Sequence, residues 1–200
     1  MRITSGTLKG RTIEAPPGDS TRPTAERARQ ALFTWLEQST LLEHGLRDAR
    51  VLDLYAGSGA LGLEALSRGA RHVTFHEHDP GALSCLRRNL TTLGVASRAT
   101  VVAGPLPATL AARPAAATDA QGATVRDVDL ILCDPPWALR PFNELAAALA
   151  RSGATTHRTI WVIEHEAPRL PALPPGWRPI WTRAWGRVAV TILRPIVQSA

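Results

Sequence analysis

Two hundred residues suffice for one full-sized domain and are too few for two comfortable ones, so a single core is expected. Hydrophobic residues make up 44% of the chain and charged residues 20%, which sets aside the disordered, collagenous and disulfide-scaffold classes. The 23 basic residues outnumber the 17 acidic ones for a net charge of +6, and residues 151–200 alone carry 7 basic against 2 acidic, a balance that favours a polyanionic partner.

No apolar run approaches the ~20 residues a bilayer crossing needs, and Met1 leads directly into Arg2, Thr4 and Ser5 without a signal-peptide core. A cytoplasmic protein with no membrane partner is the expectation. Cys85 and Cys133 match no metal-ligand spacing and lie in apolar segments, so they read as two buried reduced thiols, with neither a disulfide nor a metal.

In chain order, residues 2–14 alternate apolar and polar around Gly6 and Gly10, a short hairpin or extended arm. Pro23 and Thr24 open a helix that turns Ala28, Ala31, Leu32, Trp35 and Leu36 to one face and Arg27, Gln30, Thr34 and Glu37 to the other. From Val51 the pattern becomes strand, turn, helix: VLDLYA with a helix from Ala60 to Ser67, then VTFHE with a helix opened by Asp79 and Pro80 and ended by Gly94. TVVA is a third strand, followed by a short helix near Leu106 to Ala112. Residues 113–127 have no periodicity and read as a mobile surface loop. VDLILCD is a strand covered on both faces, then come a helix from Phe142 to Ala150, the strand TIWVIEHE, and a hairpin across Gly186. The pattern predicts a mostly parallel α/β sheet with helices on both faces and an antiparallel end.

The densest chemical signal is Asp53-Leu54-Tyr55-Ala56-Gly57-Ser58-Gly59-Ala60-Leu61-Gly62, between the first strand and its helix. Glycines there allow a sharp turn and close approach to a ligand, at the strand ends where open α/β sheets bind nucleotides. Gly57, Gly59 and Gly62 satisfy GxGxxG, and Glu77 stands 20 residues past Gly57, where a ribose-binding acid belongs; this much fits NAD as well as another adenosine cofactor. Asp53 argues for the other, because a carboxylate beside the turn repels a diphosphate and attracts a cation. S-adenosylmethionine carries an ammonium and a sulfonium and no phosphate. His76 and His78 flank Glu77, and without a third ligand nearby they do not make a metal site.

The second signal is Asp134-Pro135-Pro136-Trp137, directly after the fourth strand. Two prolines leave no amide hydrogens, so the turn presents only acceptors, which suits a substrate NH2. An exocyclic base amine is a poor nucleophile because its lone pair is delocalised into the ring, and acceptors holding its hydrogens can turn that lone pair toward a methyl electrophile. Trp137 would stack on the base.

With these residues in view, the chain resembles the RsmD family of bacterial 16S ribosomal RNA guanine-N2 methyltransferases. The resemblance runs through Met1-Arg2-Ile3, Lys9-Gly10-Arg11, Arg22-Pro23-Thr24, Arg27, Leu32-Phe33, the stretch from Leu52 to Ala65, Glu77, Asn89-Leu90, Asp134-Pro135-Pro136-Trp137, Glu164 and Gly186. It implies a Rossmann-like class I S-adenosylmethionine-dependent methyltransferase: a mostly parallel seven-stranded sheet with an antiparallel terminal hairpin, plus a small N-terminal β-hairpin extension. Residues 1–40 would form the RNA-binding arm and helix, and residues 41–200 the methyltransferase domain. It further implies S-adenosylmethionine as methyl donor, S-adenosylhomocysteine as product and no metal. Thr24, Asp53, Tyr55, Ala56, Gly57, Ser58, Gly59 and Glu77 would be cofactor contacts, and Asp134, Pro135, Pro136 and Trp137 the catalytic turn. The substrate would be 16S rRNA, within the small ribosomal subunit or an assembly intermediate. Two departures from the family pattern are Gly104-Pro105, where a polar contact to the adenine is usual, and Trp137 in place of Phe or Tyr.

Because the acidic turns do not attract a polyanion, basic side chains must hold the RNA, with Arg2, Lys9, Arg11, Arg22, Arg27 and Arg29 as the N-terminal candidates. Alternative readings are a DNA adenine-N6 or cytosine-N4 methyltransferase sharing the same turn, an RNA-binding module on an inactive methyltransferase fold, and an NAD(P) oxidoreductase.

Overall fold

The computed structural model describes residues 1–16, 23–42, 45–111, 128–168 and 170–196. The loop expected at 113–127 and the candidate Arg22 lie outside them, as does the side chain of Thr24. Helix α1 spans Pro23–Gln38, followed by β1 (Arg50–Leu54), α2 (Ala60–Ser67), β2 (His72–Glu77), α3 (Pro80–Thr92), a 3-10 turn at Ala96–Arg98, β3 (Ala99–Ala103) and α4 (Ala108–Ala111). The second half supplies β4 (Val128–Cys133), α5 (Phe142–Ser152), β5 (Thr155–Glu166), β6 (Trp177–Trp185) and β7 (Val188–Pro195). The seven strands form one sheet in the order β3-β2-β1-β4-β5-β7-β6, parallel from β3 to β5 and antiparallel at β7 and β6. Among the described residues no helix is long and apolar enough to cross a membrane.

Local chemistry explains the starts and stops. Asp79 caps α3 by accepting the Ala82 N–H (2.7 Å), and Pro80 occupies the first turn, where its missing donor costs nothing. Strand β1 ends one residue after Asp53, earlier than VLDLYA suggests, because Tyr55 turns left-handed at φ 60°. Helix α4 is shorter than the expected span and begins only after Pro107.

The pleat sorts the strands onto two cores. Val51, Val73, Phe75, Leu130, Leu132, Ile160 and Val162 face α1, α2 and α3, while Leu52, Leu54, Ile131, Cys133, Trp161 and Ile163 face α5. The N-terminal arm joins the first of these: Arg2 bridges Thr12, and Ile3 and Ile13, each 1% exposed, pack with Leu32, Phe33 and Leu36.

One buried ion network fastens that arm. Glu64 of α2 is fully buried and accepts the Thr4 N–H (2.9 Å), the Thr4 hydroxyl (2.6 Å) and the Ser5 N–H (3.1 Å). Arg68 binds it at 2.8 Å and reaches on to Glu37 at 2.6 Å, and Arg29 stands 3.5 Å from it. Breaking a buried pair strands the remaining charges, so Glu64→Ala should destabilise the fold by about 3–5 kcal/mol, read as a lowered urea midpoint.

Candidate active site

The alternation of the pleat carries past the apolar residues to the C-terminal ends of the strands. Glu77 continues the face of Val73 and Phe75, Asp53 that of Val51, Asp134 that of Leu130 and Leu132, and Glu164 that of Ile160 and Val162. Because β2, β1, β4 and β5 are neighbours in that order, four carboxylates stand in a row, and all four line one cleft of about 750 Å³. Met1, Pro16 and Arg29 from the N-terminal segments complete its wall. Among the described residues no three His, Cys, Asp or Glu side chains are grouped so as to hold a metal ion.

Two of these carboxylates are clipped to the glycine turn. Asp53 Oδ2 accepts the Gly62 N–H (2.8 Å), and Glu77 Oε2 accepts the Gly57 N–H (2.8 Å). Glu77 Oε1 is filled by the His78 and Asp79 amides at 2.6 and 2.8 Å, so only Oε2 keeps capacity for a ligand hydroxyl. Asn89 of α3 completes the frame by donating to the Ser58 carbonyl (3.0 Å) and to the Glu14 carbonyl (3.0 Å). The glycines divide the work: a Cβ on Gly62 would lie 2.3 Å from the Phe75 ring, whereas one on Gly57 would meet no protein atom within 4 Å. Gly62 is required for packing, and Gly57, at φ 56°, leaves room beside the cleft.

Burial raises the Asp53 carboxyl to about 8, with Asp134 and Glu77 adding to the rise and the Gly62 amide opposing it. Glu164 is likewise raised to about 8 by burial and by Asp134, against the pull of Arg29. In the Asp134-Pro135-Pro136-Trp137 turn Asp134 is exposed, Pro135 is buried, and Trp137 is half-buried with the Arg187 guanidinium 5.7 Å from its ring centroid. Asp134 in this turn is therefore open to solvent, whereas Asp53 and Glu77 are buried and Glu164 is partly buried.

Residues 1–194 match the protein family described as Conserved hypothetical protein 95. Ribosomal RNA small subunit methyltransferase D of Escherichia coli (strain K12) is 34% identical over 200 residues, covering 100% of this chain and 92% of its own length. The chain belongs to the RsmD family. Two solved structures are similar to this RsmD-family chain throughout. Escherichia coli yhhF aligns at a TM-score of 0.77 and 32% identity, covering 99% of both chains, and a hypothetical protein from Thermus thermophilus aligns at 0.70 and 30%, covering 96% of this chain and 98% of its own.

In this member of the RsmD family, Asp53, Tyr55, Ala56, Gly57, Ser58 and Glu77 line the same cleft as Asp134, Pro135, Pro136 and Trp137. Gly59 is set back from that lining, at φ 83° under Leu86, where it starts α2. Arg2, Lys9, Arg11 and Arg27 are on the surface, with Arg11 donating to the Thr92 carbonyl (2.8 Å). Arg29 is not a surface cation and must be corrected. Its side chain is 5% exposed, faces Glu64 and donates to the Arg2 carbonyl (2.7 Å). Its spacing to Leu32, Phe33 and Leu36 is i+3, i+4 and i+7, which places it on the buried stripe of α1 and could have revealed this from the sequence. Cys85 and Cys133 are buried free thiols.

The two raised acids give a sign for pH dependence. Their folded pKa values lie above the ordinary carboxyl range near ~4, so between about pH 4 and 8 the folded state binds more protons than the unfolded one and stability falls as pH rises. Asp53→Asn keeps an acceptor for Gly62 and removes one of these groups. Its urea midpoint should drop less than that of the wild type between about pH 5 and 8.

Proposed function

We propose that this RsmD-family chain methylates the exocyclic N2 amine of a guanine in 16S ribosomal RNA, with S-adenosylmethionine as donor. The carrying observation is that the acid-clipped glycine turn and the acceptor-only Asp134-Pro135-Pro136-Trp137 turn open into one cleft. The Gly57 and Gly62 amides, which a dinucleotide diphosphate would use, are already spent on Glu77 and Asp53, and this argues against an NAD(P) oxidoreductase. The open space at Gly57 and the carboxylates around it fit an uncharged ribose and a cationic amino-acid end. Glu77 Oε2 would hold the ribose, and the row of acids would favour the positive charge, which in turn would draw the raised Asp53 carboxyl toward its ionised form. When bound, S-adenosylmethionine supplies a methyl group on a sulfonium.

The chain's own residues prepare the acceptor. The carboxylate of Asp134 and the carbonyl oxygens of the proline turn accept the amine hydrogens, which directs the nitrogen lone pair out of conjugation with the ring. Trp137 stacks on the base and fixes its plane. The relative from Escherichia coli named as a ribosomal RNA small subunit methyltransferase supports the rRNA as substrate.

Glu77→Gln should weaken S-adenosylmethionine binding by roughly 1.5–3 kcal/mol in titration calorimetry, the range for a charge-assisted hydrogen bond. Asp134→Ala should leave that affinity within twofold and cut turnover by roughly 10²- to 10³-fold. Near-normal turnover by Asp134→Ala would refute the aligned-amine chemistry.

Substrate choice is tested by comparing methyl transfer to small ribosomal subunits, free 16S RNA, random RNA and duplex DNA. The first two should dominate; equal or faster methylation of DNA overturns the ribosomal assignment. RNA affinity should fall with salt at a log–log slope of roughly −0.7 per phosphate contact, and alanine at Arg2, Lys9, Arg11 or Arg27 should make the slope shallower.

A further inference from the structure

We infer that Arg187 forms the second wall of the base slot, so that the target base lies between the indole of Trp137 and the Arg187 guanidinium. This rests on the reading of Trp137 as the base-stacking residue. Arg187 is far from Trp137 in sequence, on the β6–β7 turn, and reaches it because β7 pairs antiparallel with β5, whose neighbour β4 leads into the catalytic turn.

Its backbone is fixed and its side chain is not. The Ala167 N–H donates to the Arg187 carbonyl (2.9 Å), tying the hairpin tip to the end of β5, and the next residue, Val188, lines the cleft. The side chain is 73% exposed, with its guanidinium 5.7 Å from the Trp137 centroid and Glu166 as an ion-pair partner at 2.5 Å. Exposed ion pairs of this kind contribute little net stability, so Glu166 orients the group without locking it. A base between two planes needs roughly 7 Å, two stacking distances of about 3.5 Å, so a small rise of the arginine admits one.

The surroundings suit that use. Pro135, Trp137 and Glu164 line both the 750 Å³ cleft and a second cavity of about 450 Å³ that includes Glu166. A base beside Trp137 therefore has space on both sides of the catalytic turn. Guanidinium is planar and weakly hydrated, stacks on aromatic faces, and is used as a stacking plane for unpaired RNA bases. A lysine ammonium has the charge without the plane.

The test compares Arg187→Ala, Arg187→Lys and Arg187→Phe in the full chain, with small ribosomal subunits as substrate. Stacking predicts that Arg187→Ala raises the KM for RNA about tenfold or more, leaves kcat and S-adenosylmethionine affinity within twofold, and does not change the salt slope. Arg187→Phe should then restore much of the loss and Arg187→Lys little of it. A turnover-independent reading comes from RNA carrying 2-aminopurine at the methylated position: its fluorescence should be quenched by the wild type and by Arg187→Phe, and less by Arg187→Ala. Rescue by Arg187→Lys together with a slope shallower by about 0.7 in Arg187→Ala would make Arg187 a phosphate contact and overturn the slot. An unchanged KM in Arg187→Ala would overturn it too. Wild-type chain inert on every RNA would instead overturn the methyltransferase reading on which the slot rests.

Discussion

The β-pleat sends alternate side chains to opposite faces, and at the C-terminal ends of β2, β1, β4 and β5 this rule lines up Glu77, Asp53, Asp134 and Glu164 on one side. The same face lower down is wholly apolar and buried, so the row stands on a dry floor that raises Asp53 and Glu164. Most of what the site does depends on that placement. Two of the acids hold the glycine turn through its own amides, which removes donors an anion would need and leaves an acidic, turn-shaped cleft. Of the other two, Asp134 is exposed and Glu164 is partly buried beside it on the neighbouring strand.

The N-terminal segments are built into this site. Glu64 gathers Thr4, Ser5, Arg29 and Arg68, and Asn89 joins Glu14 to Ser58, so the arm is fastened at once to α2, to α3 and to the glycine turn. The consequence is that Met1 and Pro16 stand at the cleft while Lys9 and Arg11 remain in solvent. A buried ion network of this kind adds little net stability over an apolar one, but it is strongly directional and so holds the arm in one place.

The antiparallel end of the sheet has a matching role on the other side. Trp181 of β6 stacks on Trp35 of α1 at 4.8 Å, and Arg194 of β7 donates to the Leu41 carbonyl (2.8 Å), which anchors the hairpin to the first helix and the segment after it. The hairpin tip then projects over Trp137. The glycine-turn half of the cleft thus comes mainly from β1 and β2, and the half around Asp134 and Trp137 from β4, β5 and the hairpin.

Local patterns carried much of this. Period-two runs and the Asp79-Pro80 cap mark the strands and α3, and the glycine turn with Asp53 and the Asp134 turn are legible because each is a contiguous motif whose chemistry depends on neighbours in the chain. Arg29 is legible too, because its helical spacing to Leu32, Phe33 and Leu36 puts it on the buried stripe of α1. What the linear order does not contain is distance across the sheet. Glu164 becomes the neighbour of Asp134 only because β5 pairs with β4, Glu64 becomes a hub only because the arm folds back onto α2, and Arg187 meets Trp137 only because β7 inserts between β5 and β6. Short-range sterics and capping act within a few residues and can be read from them, whereas these contacts are selected by the packing of the whole sheet, which no segment specifies alone.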